Sequence, residues 1–131
     1  MTPDGLVTRE SAYDFSTTVS CLIAALVSRG TTIFAVVDHA DGAEIAGLEL
    51  RPTTVVIFGN PKAGTPLMQA AQTAGIDLPL KILIWQGPKG RIHVGYNDPA
   101  WIAARHGAEA PETVAALSAV LAALAAQAAG S

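Results

Sequence analysis

Two spacings of apolar residues run through this chain, and each predicts a kind of element. Val19, Leu22, Ile23, Leu26 and Val27 stand three and four apart, the signature of one buried helix face, with Asp14 placed to cap the start and Gly30 to end it. Thr31 to His39 (TTIFAVVDH) is β-branched and almost wholly apolar, which predicts a buried strand. Thr53 to Phe58 (TTVVIF) is apolar on both faces and predicts a central strand. Between them, Ala40 to Leu48 reads as a loop with one or two helical turns.

Beyond Phe58, Gly59 to Gly64 (GNPKAG) reads as a loop, and Thr65-Pro66 opens a helix through Leu67, Met68 and Ala71 to a stop at Gly75. Leu80 to Trp85 and Arg91 to Tyr96 are strands joined by five residues, a connection too short for anything but antiparallel neighbours. Asn97-Asp98-Pro99 opens a short helix, and Pro111 opens the last one, with Glu112 in its first turn to suit the helix dipole. With a first short strand near Leu6, the order is β-α-β-(α)-β-α-β-β-α-α. That alternation with a terminal hairpin predicts an α+β fold, a single mixed β-sheet with helices packed mainly on one face.

Composition narrows the class. The 131 residues are half apolar and 15% charged, enough to build a core in one domain spanning 1–131, with 111–131 an Ala-rich helix. No repeat and no linker divides it. A net charge of −3 argues against nucleic acid or an anionic membrane as a main partner. Cys21 is the only cysteine, so no disulfide forms within the chain, and the three histidines show no zinc-ligand spacing. The first ten residues lack the basic and apolar regions of a secretory signal. Thr113 to Ser131 is uncharged, yet Ala dominates it and its larger residues form a stripe, the pattern of an amphipathic helix rather than a membrane span. A cytoplasmic chain is expected. The stripe Val114, Leu117, Leu121, Leu124 leaves an Ala-rich opposite face, which predicts cover on more than one side, most simply in a homodimer.

Three strand ends carry polar groups on a rigid frame. Asp38-His39 closes one strand, and His titrates near neutral pH. The stretch Gly59-Asn60-Pro61-Lys62-Ala63-Gly64 follows another and leads toward a helix N-terminus, a place suited to an anion; its two glycines have phosphate-loop spacing, but Thr65-Pro66 follows where that motif needs Lys and a hydroxyl residue. Tyr96-Asn97-Asp98 closes the third. Turn and cap chemistry explains most of these residues equally well. Cys21 reads as an inert thiol and Met68 and Trp101 as core, and no serine nucleophile motif occurs.

The stretches Phe34 to His39 (FAVVDH), Ala46 to Thr53 (AGLELRPT), Phe58 to Met68 (FGNPKAGTPLM), Asp77 to Ile84 (DLPLKILI) and Tyr96 to Pro99 (YNDP) resemble the DUF302 family across about residues 31 to 107. The resemblance implies a compact α+β fold, commonly a homodimer, with no established reaction or cofactor. By that analogy the functional positions are His39, Asn60, Lys62, Met68 and Tyr96. Two functions follow as expectations. One is a homodimeric binding module that holds a small polar, anionic or metal-containing ligand at the strand ends, with Met68 as a soft wall. The other is a small enzyme with His39 as general base and Lys62 stabilising a developing negative charge. A structural or interaction protein, docking through the Ala-rich helix, is the third possibility.

Overall fold

Asp14 starts the first helix as its position predicts. Its carboxylate accepts the Thr17 N–H at 2.8 Å, and α1 then runs over Phe15–Ser28. Arg29 closes it, and Gly30 follows at φ +67°, a conformation that costs glycine little. The computed structural model describes residues 2–130; Met1 and Ser131, counted in the single domain above, lie outside it. The strands are β1 (Leu6–Glu10), β2 (Thr32–Asp38), β3 (Thr53–Gly59), β4 (Leu80–Gln86) and β5 (Ile92–Asn97). The other helices are α2 (His39–Ile45), α3 (Pro61–Ala70), α4 (Pro99–His106) and α5 (Pro111–Ala129), with a 3₁₀ turn at Gln72–Ile76.

One five-stranded sheet forms in the order β1-β5-β4-β3-β2. Every pairing in it is antiparallel, where a mixed sheet was expected. Parallel neighbours need a connection that recrosses the sheet. Here α2 and the segment after it return β2 into β3 from the same end, and α3 with the 3₁₀ turn does likewise for β3 and β4. β3 is an inner strand, as its sequence predicts. β2 departs from expectation: its apolar run forms an edge, paired to β3 on one side only, and most of its side chains stand exposed.

Alternation along the inner strands defines the core. Val56 and Phe58 of β3, Ile82 and Ile84 of β4 and Val94 of β5 are buried beneath Leu22 and Leu26 of α1 and Leu121 and Leu124 of α5. Each such side chain contributes roughly 1.5–3 kcal/mol by leaving water. α5 packs against α1, α3 and α4 as well as the sheet, while Ala115, Ala116, Ala119 and Ala122 on its Ala-rich side stay exposed. It is also the one helix among the described residues long and apolar enough to cross a membrane. On the opposite sheet face Trp85 stacks on His93 across the β4–β5 pairing, with ring centroids 5.2 Å apart.

Candidate functional site

The third helix begins five residues earlier than Thr65-Pro66 suggests. Asn60 is its cap: the side-chain oxygen accepts the Lys62 N–H at 3.0 Å, and Pro61 takes the first helical position, where no N–H is needed. Pro66 is therefore inside the helix. GNPKAG is thus mostly a helical first turn rather than a loop.

This start aims α3 across the end of the sheet and leaves a cavity of about 300 Å³ beside it. Asn60, Ala63, Thr65 and Met68 form the α3 wall, Leu78, Pro79 and Leu80 lead into β4, and Phe34 of β2 and Leu117 of α5 close the remaining sides. The lining is overwhelmingly apolar. Its polar side chains are Asn60 and Thr65, both exposed, and the Asn60 oxygen is already engaged by the cap, so its amide N–H₂ is the group left for a ligand.

Of the five sequence candidates, Asn60 and Met68 line this cavity. Lys62 is exposed on the first turn of α3, outside the lining. Tyr96 lies half-buried against the core on β5, two strands away from β3; burial raises its hydroxyl pKa, Arg9 opposes that and Asp98 adds to it. His39 is the exposed first residue of α2. Asp38 pairs with Thr54, at the far end of β3 from Gly59, so His39 stands about 17 Å along the strand from the Asn60 end. The convergence of imidazole, amide, ammonium and phenol does not form within one chain. His39 and Lys62 in particular share no cleft, and the acid–base arrangement suggested for an enzyme is not assembled.

Sequence reasoning missed the walls. Phe34 and Leu78 sit inside stretches that carry the family resemblance, but only tertiary contact shows their shared cavity. It also missed a polar cluster on the 3₁₀ turn. There Asp77 accepts hydrogen bonds from Arg105 and His106, and His106 meets the Thr73 hydroxyl. Cys21 is half-buried on α1. No three His, Cys, Asp or Glu side chains among the described residues are grouped to hold a metal ion.

The sequence pattern described as "Domain of unknown function DUF302" matches residues 7–124. The chain belongs to the DUF302 family. Its fold is that of the uncharacterized conserved protein DUF302 from Bacillus stearothermophilus, a crystal structure it matches at a TM-score of 0.83 and 18% identity, over 96% of this chain and 99% of the other. This DUF302 chain is also 47% identical over 102 residues to two Brucella proteins named fluoride-specific ion channel FluC 1, from Brucella suis and Brucella abortus. The match takes in 78% of this chain but 40% and 38% of those proteins, so the chain spans about two fifths of their length.

Proposed function

We propose that this DUF302 chain is a binding module for a compact, largely apolar small molecule, held in the cavity between α3, Leu78–Leu80 and Phe34. The cavity carries the reading: about 300 Å³ lies at the lower end of ligand-pocket sizes, with apolar walls and few polar groups to orient a ligand. Met68 supplies a polarisable, adaptable wall. The Asn60 amide supports one polar group on the ligand. That chemistry shifts the expected ligand away from an anion or a metal complex and toward an apolar body with a polar end.

The test is a survey of straight-chain C4–C8 alcohols and carboxylic acids and of small aromatic fragments, read by thermal shift and native mass spectrometry. Ala63 is exposed and lines the cavity, so Ala63→Trp fills it from the surface side of α3. Binding that raises the Tm of the parent chain and disappears in Ala63→Trp supports the reading. No shift with any probe, or equal shifts in both proteins, overturns it.

The Brucella match favours a second reading. We infer that the fold acts beside a membrane transport protein, since in those relatives the matched segment makes up about two fifths of a protein named for a fluoride channel. Residence in the cytoplasm belongs to this reading too. Fluoride efflux from liposomes holding a fluoride channel, with and without this chain added, tests it: an altered rate supports the reading and an unchanged one removes it.

A further inference from the structure

Three side chains from two separate elements stand in line where the 3₁₀ turn meets the end of α4. The Thr73 hydroxyl lies 2.9 Å from His106 Nδ1, and His106 Nε2 lies 2.6 Å from Asp77 Oδ2. Arg105 Nη1 holds both oxygens of that carboxylate, at 2.9 and 2.8 Å, and the Asp77 backbone is fixed as well: its N–H donates to the Ala74 carbonyl and its own carbonyl accepts from Lys81 Nζ. The His106 side chain is only 8% exposed, whereas Thr73 is open to solvent. Basic residues in the last turn of α4 suit the helix dipole, which accounts for the place of Arg105 and His106 but not for a hydroxyl set on the free ring nitrogen. The hydrogen bonds also choose the tautomer. A carboxylate can only accept, so in the neutral ring the proton sits on Nε2, and Nδ1 is a lone pair that takes the Thr73 O–H.

We propose that Thr73, His106 and Asp77 are a nucleophile, its base and the group that orients the base, and that the Thr73 hydroxyl accepts an acyl group from a small activated ester or thioester. A hydroxyl within hydrogen-bond reach of an imidazole, itself held by a third group, is the arrangement that activates an otherwise weak nucleophile. In the step, Thr73 Oγ1 bonds to the acyl carbon as its proton passes to His106 Nδ1. The bond from that carbon to the leaving oxygen or sulfur then breaks, and the leaving group takes the proton from Nδ1. The products are an O-acyl Thr73 and a free alcohol or thiol, with the imidazole neutral again. Asp77 acts through His106 as a positioning residue: it keeps the ring proton on Nε2 and so leaves Nδ1 free to act as base. An acyl carbon suits the site better than a phosphoryl group, because the Arg105 charge is already engaged by Asp77 and the carboxylate repels an anion. The inference does not rest on the ligand reading, since Thr73, His106 and Asp77 lie outside the lining of that cavity.

The test treats the full chain with p-nitrophenyl acetate in mildly alkaline buffer and follows acetylation residue by residue with peptide mass spectrometry. A Cys21→Ser background removes the competing thiol. The expected result is acetyl on Thr73 that disappears in Thr73→Val and persists in Thr73→Ser. His106→Gln should slow it on the order of a hundredfold, the scale of general-base help, while acetylation of exposed Lys62 stays the same. Nitrogen NMR of the imidazole reads the positioning role. The His106 proton should sit on Nε2 in the parent chain, and Asp77→Asn, which offers an amide N–H to that nitrogen, should move it to Nδ1 and slow Thr73 acetylation with Lys62 unaffected. Thr73 is exposed, so its two variants and the ring reading of the parent chain decide the matter even if His106→Gln fails to fold. Acetyl groups confined to amines overturn the proposal. So does acetylation of Thr73 at an equal rate in His106→Gln, or a parent ring that carries its proton on Nδ1.

Discussion

His106 Nε2 donates to Asp77 Oδ2 at 2.6 Å, and Arg105 Nη1 donates to both oxygens of the same carboxylate at 2.9 and 2.8 Å. Through this clasp the C-terminal turn of α4 is tied to the residue that ends the 3₁₀ turn, and so to one wall of the cavity. Burial alone pushes the Asp77 carboxyl up, but the hydrogen bond from His106 and the charge and hydrogen bonds of Arg105 outweigh it and hold the pKa below 3.8. The folded state therefore releases this proton more readily than the unfolded chain does. The clasp's stabilisation is present in full above the ordinary aspartate range and is lost as pH falls through the lower, folded-state value. Asp77→Asn should lower stability at pH 7 by about 2 kcal/mol, the scale of a hydrogen bond to a charged group. Urea denaturation of both proteins from pH 7 to pH 2 checks it: the gap should hold down to about pH 4 and narrow below that.

Gly95 makes room for Trp85. A Cβ at that position would lie 2.9 Å from the Trp85 ring and 3.4 Å from the Val7 carbonyl oxygen, closer than the ring can tolerate where it stacks on His93. Gly95→Ala should destabilise by about 1–3 kcal/mol through this overpacking. In a Trp85→Leu background the same change should cost less than half as much. Denaturation midpoints of the four proteins in that cycle give the coupling directly.

Local rules in the sequence reached the elements and their order, because caps such as Asp14 and Asp98 and the alternation of β3 to β5 act over a few residues. They stopped where two local solutions compete. Asn60-Pro61 and Thr65-Pro66 are both acceptable helix starts, and the choice fell to Asn60 because its side chain closes on the Lys62 N–H. They also could not show that the apolar strand β2 has a neighbour on one side only, since composition records an affinity for cover and not its presence. The site was misjudged for a related reason. In parallel strands the C-terminal ends lie together, which would set His39 near Asn60; the antiparallel β2–β3 pairing puts them at opposite ends of the sheet. Asn60 and Met68 reach one cavity because a single helix carries both, whereas Phe34 and Leu117 join them only through contacts remote in sequence.

Asn60 has a structural task whatever the cavity binds. Removing its oxygen leaves the Lys62 N–H without its partner, so Asn60→Ala should cost about 1 kcal/mol, and Asn60→Asp, which keeps an acceptor, should cost little. Thermal melts of the two variants separate this capping role from any role in binding. A ligand contact through the amide N–H₂ predicts that Asn60→Asp keeps its stability yet binds the polar-ended probes more weakly.

Leu117 links the cavity to the core, being nearly buried on α5 while facing the space beside Met68. Leu117→Ala removes apolar contact and enlarges the existing void, and the expected loss is about 2–4 kcal/mol, as for other large-to-small core changes. The consequence for binding runs the other way. A wider cavity should accept probes a few carbon atoms longer than the parent chain does, and a probe that fills it should recover part of the lost stability, because any ligand that binds only the folded state shifts the equilibrium toward it. Urea denaturation of Leu117→Ala with and without the C8 probes decides the matter. Stability loss with probe-dependent recovery is the expected outcome, and a loss that no probe reduces would show that Leu117 serves packing alone.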